Sequence, residues 1–384
     1  MLCSKIVTRS DFKDKKVLVR VDFNVPLEDG IVQDSLRIKN VVPTIEFLKS
    51  AGAKVILISH LGKTACFNKT QSLRNIVDKV AKECKSNVVF IDDCLDANAS
   101  FTIDNTSSQN VILMENLRFY PEEEKCDMDF AKRLANLADF YINEAFSVSH
   151  RKHASIFAIP QFLPHAFGLS FTKEIRAING FFSSALSPKM GIIGGAKLST
   201  KINLLKNLVQ KVDKLALGGE IANAFQSFGK NTPSGGGDST AYAEEVSKII
   251  ENSRKYNCEL IMPVDFYIAA DSSIADIGHR SVELFQWHIR ESKTILWNGP
   301  MGMFEKAQFD HGTKSLALEI AKLSRDGKLV SIIGGGDTAF AMNKFNVSQD
   351  LSYVSTAGGA FLAYLEGSEL PGIAAMHNFY VLQQ

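Results

Sequence analysis

Short apolar runs alternate along the chain with longer stretches in which apolar residues recur every third or fourth position. The first pattern is that of buried strands and the second that of amphipathic helices. The first half predicts strands over Lys16–Pro26, Lys54–Ser59, Val88–Ile91, Val111–Met114 and Phe140–Ile142. The second half predicts them over Met190–Ile193, Leu215–Leu217, Leu260–Pro263, Thr294–Trp297, Leu329–Ile333 and Tyr353–Ser355. Between them, Asp34 or Ser35 caps a helix that turns Ile38, Val41, Val42, Ile45 and Leu48 inward. Further helices are expected over 72–84 and from Asp127 or Met128 to Ala138. Strand–helix alternation implies βαβ units and parallel sheets, whose ligands bind beyond the carboxyl ends of the strands.

Those ends carry chemistry. In the first strand the period of two puts Arg20, Asp22 and Asn24 on one face. His60 and Lys63 follow the second strand, Arg118 the fourth, and His150, Arg151 and His153 the fifth. Any one could be a solvated surface cation, but several converging on one edge call for an anion. Guanidinium forks suit phosphate and carboxylate oxygens. Arg37 stands in the first turn of its helix, where a cation opposes the dipole unless an anion is near. The histidines suggest a metal only if three ligands come together, and no such set is evident.

The second half ends its strands differently. Met190–Ile193 leads into Gly194-Gly195-Ala196-Lys197, and a helix is expected from about Ser199, with Lys197 and Lys201 one turn apart and pointing the same way. Leu215–Leu217 leads into Gly218-Gly219-Glu220, and Thr294–Trp297 into Asn298-Gly299-Pro300. Leu329–Ile333 leads into Gly334-Gly335-Gly336-Asp337-Thr338 at the start of a helix. Glycines let backbone amides approach a phosphate, and a helix start presents positive potential to it. An acid there can hold Mg²⁺ against phosphates. Ala275–Gly278 reads as a turn and Gly235–Gly237 as a loop. Of the 26 glycines only Gly30, Gly52 and Gly62 precede position 168, whereas the arginines gather in the first half.

At 384 residues the chain exceeds one comfortable core. The expected fold is α/β, with two doubly wound, parallel-sheet (Rossmann-like) domains joined by an inter-domain helix. Residues 1–167 form the first domain, 168–183 the helix and 184–370 the second, with a tail of about 371–384 packing back on the first. Phe171, Ile175, Ile178 and Phe182 form the apolar stripe of that helix. A net charge of +1 argues against a broad nucleic-acid footprint. No apolar run approaches a membrane span. Six cysteines without a CxxC pair, and no leader-like segment, fit reduced thiols and a cytoplasmic location. No GxxxxGK[ST] is present, so this is not a P-loop chain. Gly334 to Ala339 fits a dinucleotide fingerprint, but Ser355-Thr356-Ala357 lacks the acid that should follow. One small-anion site and one nucleotide site remain, which suits phosphoryl transfer by domain closure.

The motifs VRVDFNVP (19–26), SHLG (59–62), ENLRF (115–119) and HRKHAS (150–155) are similar to those of the phosphoglycerate kinase family. So are GGAK (194–197) with Lys201, ILWNGPMGMFE (295–305), IIGGGDT (332–338) and STAGGA (355–360). The resemblance spans essentially the full length. It implies reversible transfer from 1,3-bisphosphoglycerate to ADP, giving 3-phosphoglycerate and ATP, with Mg²⁺, in a monomer that binds neither nucleic acid nor membrane. Asp22, Asn24, Arg37, His60, Lys63, Arg118 and Arg151 would hold the phosphoglycerate. Gly195, Ala196, Lys197, Lys201, Gly219, Gly278, Asn298, Pro300, Glu305, Gly335, Gly336, Asp337 and Thr338 would hold the nucleotide, with Asp337 on the metal. Arg37, Lys197, Gly335 and Gly336 would act on the migrating group.

Departures from the family pattern are Lys63-Thr64 for Arg-Pro, Glu144 for Asp, His279 for Pro, Ala357 within the last glycine run, and Glu220 at an apolar position. Glu174 matches a position linked to hinge contacts. The alternatives are a catalytically idle metabolite binder on the same fold and, more remotely, a nicotinamide oxidoreductase.

Overall fold

The computed structural model describes residues 5–64, 66–228, 242–270, 273–376 and 380–382. The Gly235–Gly237 run lies outside them. The chain divides into two compact units, Met1–Ile175 with Glu369–Gln384, and Arg176–Ser368.

The sheet of the first unit has eight strands, in the order Lys5–Val7, Tyr380–Leu382, His165–Phe167, Phe140–Asn143, Lys16–Arg20, Lys54–Ile58, Val111–Met114 and Val88–Ile91. Every pairing is parallel. Its central strands are buried on both faces: Val17, Val19, Val55, Leu57, Val111 and Leu113 are fully covered on one, and Leu18, Ile56 and Ile112 on the other. The helix Leu36–Ser50 buries Ile38, Val41, Ile45 and Leu48 against them, as the apolar spacing predicts, while Val42 is only half-buried.

The first strand is shorter than its apolar run. Val21 N–H still reaches Ile58 O at 3.0 Å, but the Asn24 amide then turns back to Asp22 Oδ1 at 3.0 Å. An aspartate that offers the backbone a local acceptor ends a ladder, so Asp22 and Asn24 sit in the loop beyond the sheet. The helix Ala97–Asn105, started by Asp96 Oδ1 accepting from Asn98 N–H, is not legible in its polar sequence. Nor is the strand Tyr380–Leu382, which pairs on both sides.

The second unit has six parallel strands, in the order Glu259–Ile261, Lys214–Leu217, Lys189–Ile193, Thr294–Asn298, Val330–Gly334 and Tyr353–Val354. Met190, Ile192, Ile295, Trp297 and Ile333 fill its centre, each worth roughly 1.5–3 kcal/mol on burial. Residues 275–278 are not a turn. Ile274–Ile277 is a strand paired antiparallel with Phe266–Ile268, and Gly278 starts the helix His279–Glu291.

The helix Leu169–Ser183 crosses the boundary between the units. Its buried stripe is Phe171, Glu174, Ile178 and Phe181, one position from that expected; Ile175 and Phe182 are half-buried. Among the described residues no helix is long and apolar enough to cross a membrane.

Candidate active site

At the carboxyl edge of the first sheet, a loop, a helix start and two strand ends meet on Asp22. Its carboxylate accepts from Arg37 Nη1 at 2.7 Å, from Ser147 Oγ and from the Asn24 amide, and His60 Nδ1 lies 4.0 Å away. Burial works to raise this acid, but Arg37 and the hydrogen bonds from Ser147 and Asn24 outweigh it and hold it below the usual carboxylate range. Asn24 adds its carbonyl to Arg37 at 3.1 Å and takes the Gly62 amide on Oδ1 at 2.9 Å. The loop bearing Lys63, which is exposed, is thereby tied to the first strand's exit.

His60 is buried, with Nδ1 3.2 Å from Arg20 Nη2. Burial first, then Arg20, Arg118 and Arg151, push its pKa well below the ordinary value, so the ring is neutral at pH 7 and can accept from Arg20. Arg20 is fully buried and does not open onto the edge. It donates through Nε to Ser155 Oγ at 2.8 Å, and Ser155 donates to the buried Glu123 at 2.5 Å. Arg118 pairs with Glu124, and its Nε is buried without a hydrogen-bond partner among the described residues. Arg151 is half-buried and its charge acts on His60, His153, Arg20 and Arg118. The side chains expected to converge do so, except that Lys63 stays exposed at the rim and Arg20 lies beneath. Asn116, Ser147, Ser155 and Glu123 complete the cluster and were not singled out from the sequence. Asn116 ties Leu61 N and O and Gln71 O to its own loop at 2.7–3.1 Å.

The second unit assembles its edge from backbone. Gly335 has φ +102° and precedes the helix Gly336–Lys344. A side chain there would strain the backbone and meet Asn298 Nδ2 at 2.7 Å. At Gly195 and Gly336 a Cβ would meet nothing, so both open onto free space. Other glycines serve packing. A Cβ on Gly194 would run into Pro300 O, one on Gly218 into the Met301 side chain, and one on Gly219 into Gly195 O. Three strand exits are thus pressed together. Gly278 belongs to this packing class, its Cα face filled by the Asp265 carboxylate.

Asn298 is fully buried; Nδ2 donates to Gly334 O at 2.6 Å and Oδ1 accepts from Lys201 Nζ. Thr338 Oγ1 accepts the Gly299 amide at 2.7 Å. Lys201 is half-buried, and burial lowers it to about 8 against the pull of Asp337 and Glu366. Lys197 does not share a helical turn with it. Lys197 is exposed and extended, and a 3-10 turn, Leu198–Thr200, separates the two. Ala196, Glu305 and Asp337 are exposed and Pro300 half-buried. Lys344 Nζ holds the carbonyls of Phe304 and Glu305 at 2.6 and 3.2 Å. Among the described residues no three His, Cys, Asp or Glu side chains stand together as a metal cage. Asp337 alone suits an ion that takes one carboxylate and completes its shell from phosphates and water.

An arginine pocket on one parallel sheet and a glycine-lined helix start on another define an α/β protein with two candidate anion sites. The phosphoglycerate kinase family model matches residues 7–368. The phosphoglycerate kinase of Wolbachia pipientis subsp. Culex pipiens is 42% identical over 381 residues, covering 94% of this chain and 96% of that protein. That of Caulobacter vibrioides is 39% identical over 391 residues, covering 96% and 98%. The solved phosphoglycerate kinase of Coxiella burnetii superposes with a TM-score of 0.84 at 32% identity, covering 96% of this chain and 98% of that one. The chain belongs to the phosphoglycerate kinase family.

Proposed function

We propose that the chain catalyses reversible, Mg²⁺-dependent phosphoryl transfer from the carboxyl phosphate of 1,3-bisphosphoglycerate to ADP. The observation that carries the reading is the Asp22–Arg37 pair at 2.7 Å, with Arg37 reaching the edge where family membership expects the phosphoglycerate. Arg37, half-exposed, can turn part of its fork to the carboxylate left behind and neutralise it as the phosphoryl group departs. Asn24, His60, Lys63, Arg118 and Arg151 hold the rest of that substrate. The unpartnered Arg118 Nε is a donor waiting for an anion.

In the second unit Lys197 accompanies the phosphoryl group, and the Gly335 and Gly336 amides hydrogen-bond its oxygens. Lys201 and Thr338 bind the remaining phosphates. Glu305 and Pro300 bind the ribose side, with Gly195 and Ala196 walling the nucleotide and Gly219 and Gly278 packing behind that wall. Asp337 would hold Mg²⁺, which when bound neutralises phosphate charge. The catalysis is positioning and charge stabilisation, with no covalent intermediate. The proposal includes domain closure about the helix Leu169–Ser183, a monomer and a cytoplasmic location. A coupled assay with 1,3-bisphosphoglycerate and ADP, with and without Mg²⁺, tests it. Mg²⁺-dependent ATP formation is the expected result, and binding of both substrates without turnover would instead identify an idle binder.

A further inference from the structure

Asp276 is fully buried beneath the loop that carries Pro300 and Glu305. Its carboxylate accepts from two backbone amides, Gly312 N on Oδ2 at 2.7 Å and Ile277 N on Oδ1 at 2.9 Å. Gly312 lies in the first turn of the helix His311–Arg325, where negative charge suits the dipole. A Cβ on Gly302, in the loop, would run into the same carboxylate, as would one on Gly312. The loop is held on both sides of that point. Met303 N–H donates to Ala275 O at 2.7 Å, and Met301 N–H to Thr313 Oγ1 at 3.0 Å. Asp276 therefore stands as a wedge between the loop and the helix start, in contact with both.

An acid in this place is costly. Burial raises the carboxyl to about 6, with Asp310 adding to the rise and the two amides opposing it. An apolar side chain of similar size would fill the gap without that penalty. What it could not do is accept the Gly312 amide of the helix start while being anchored by the Ile277 amide of its own strand, and so fix that strand against the helix. We infer that Asp276 is the positioning residue of the nucleotide loop, holding Pro300 and Glu305 in place through Gly302 and Gly312. This rests on the reading of the second unit as the nucleotide site.

The test is calorimetric titration of the full chain with ADP in the presence of Mg²⁺ and, separately, with 3-phosphoglycerate, for wild type, Asp276→Asn and Asp276→Ala. Steady-state kinetics accompany both. Asn keeps the volume but opposes one of the two amides with its own NH₂, so it carries the test even if Ala fails to fold. The dissociation constant and KM for ADP should rise roughly tenfold while the 3-phosphoglycerate constant stays within about twofold. Unchanged ADP binding by Asp276→Asn overturns the inference and leaves the nucleotide reading intact. A parallel loss for both ligands also overturns it, because general loosening of the fold would then be the cause. Failure of the wild type itself to bind ADP removes the nucleotide reading and the inference with it.

Discussion

The two candidate anion sites solve one problem with different materials. In the first unit positive charge comes from guanidiniums held by acids: Arg37 by Asp22, Arg118 by Glu124, and Arg20 through Ser155 by Glu123. In the second it comes from amides at Gly335 and Gly336 and the start of their helix, with lysines alongside. A side-chain donor can be deleted, and deletion then strands a buried opposite charge. A backbone donor cannot be deleted; it can only be misplaced, by adding a Cβ where φ is positive. Truncation in one unit and enlargement in the other are therefore the matched perturbations.

Truncation carries the largest expected effect. Arg37→Ala should lower kcat by roughly 10²–10³ and also lower Tm, because Asp22 loses its closest cation. Lys197→Ala, at an exposed position, should lower kcat on a similar scale while leaving Tm nearly unchanged. Turnover measured beside thermal unfolding reads both. Unchanged kcat in Arg37→Ala would make the arginine cluster a structural salt-bridge network, and the comparison would collapse.

Enlargement comes next. Gly335→Ala must adopt φ near +102° and crowd Asn298 Nδ2, whereas Gly336→Ala meets open space within the helix. The strain at Gly335 is roughly 1–3 kcal/mol, so its nucleotide KM should rise by up to about a hundredfold. Gly336→Ala should leave Tm equal or slightly higher. Any rise in its nucleotide KM then reports ligand crowding rather than strain. Equal nucleotide KM values in wild type and both variants would deny these amides a role.

This pair shows where the sequence was legible. The parallel strands, their order along the chain and the residues at their exits follow from apolar runs and from helices between them. Arg37 and Asp22 were readable because each sits where its charge is anomalous for local structure alone. Asn116, Ser147 and Ser155 were not, because each is an ordinary polar residue whose partner lies 45 to 135 positions away. The glycine turns were half-legible. Sequence shows that glycine is present, but not whether its missing Cβ admits a phosphate, as at Gly195 and Gly336, or another backbone, as at Gly194 and Gly219. Helical spacing carried up to the glycines puts Lys197 and Lys201 on one turn, but the 3-10 turn Leu198–Thr200 intervenes.

The buried acids differ as well. Glu144, at a position where the family pattern has Asp, is fully enclosed in the first unit. It accepts from Thr44 Oγ1 at 2.5 Å, Ser170 N at 3.0 Å and Phe171 N at 3.1 Å. Burial raises it to about 7 from 4.5 despite those bonds. The folded chain thus binds this proton more tightly than the unfolded chain. Its contribution to stability is full below about pH 4.5 and is lost as pH rises through 7. His60, His150 and His153, all lowered, act in the opposite sense. The difference in unfolding free energy between wild type and Glu144→Gln isolates the acid. It should shift by on the order of 2 kcal/mol between pH 5.5 and 7.5, in favour of the wild type at the lower pH. A pH-independent difference would show that the carboxyl is already charged throughout.

The smallest effect asks how finished the arginine pocket is. Lys63 stands where the family pattern has arginine, on a loop fixed by Asn24 at Gly62 N and by Gln71 Oε1 at Thr64 N, 3.2 Å. A rigid loop favours a planar fork, since little further order is needed to aim it. Exposure works against a large gain, because water and salt screen an ion pair at the rim. Lys63→Arg should therefore lower the phosphoglycerate KM by about two- to threefold at low ionic strength, with kcat and nucleotide KM unchanged. The gain should shrink toward nothing as salt is raised. A gain that survives high salt would place this side chain inside the pocket with Arg37 rather than on its edge. A loss would mean that the compact lysine, and not the fork, fits the anion here.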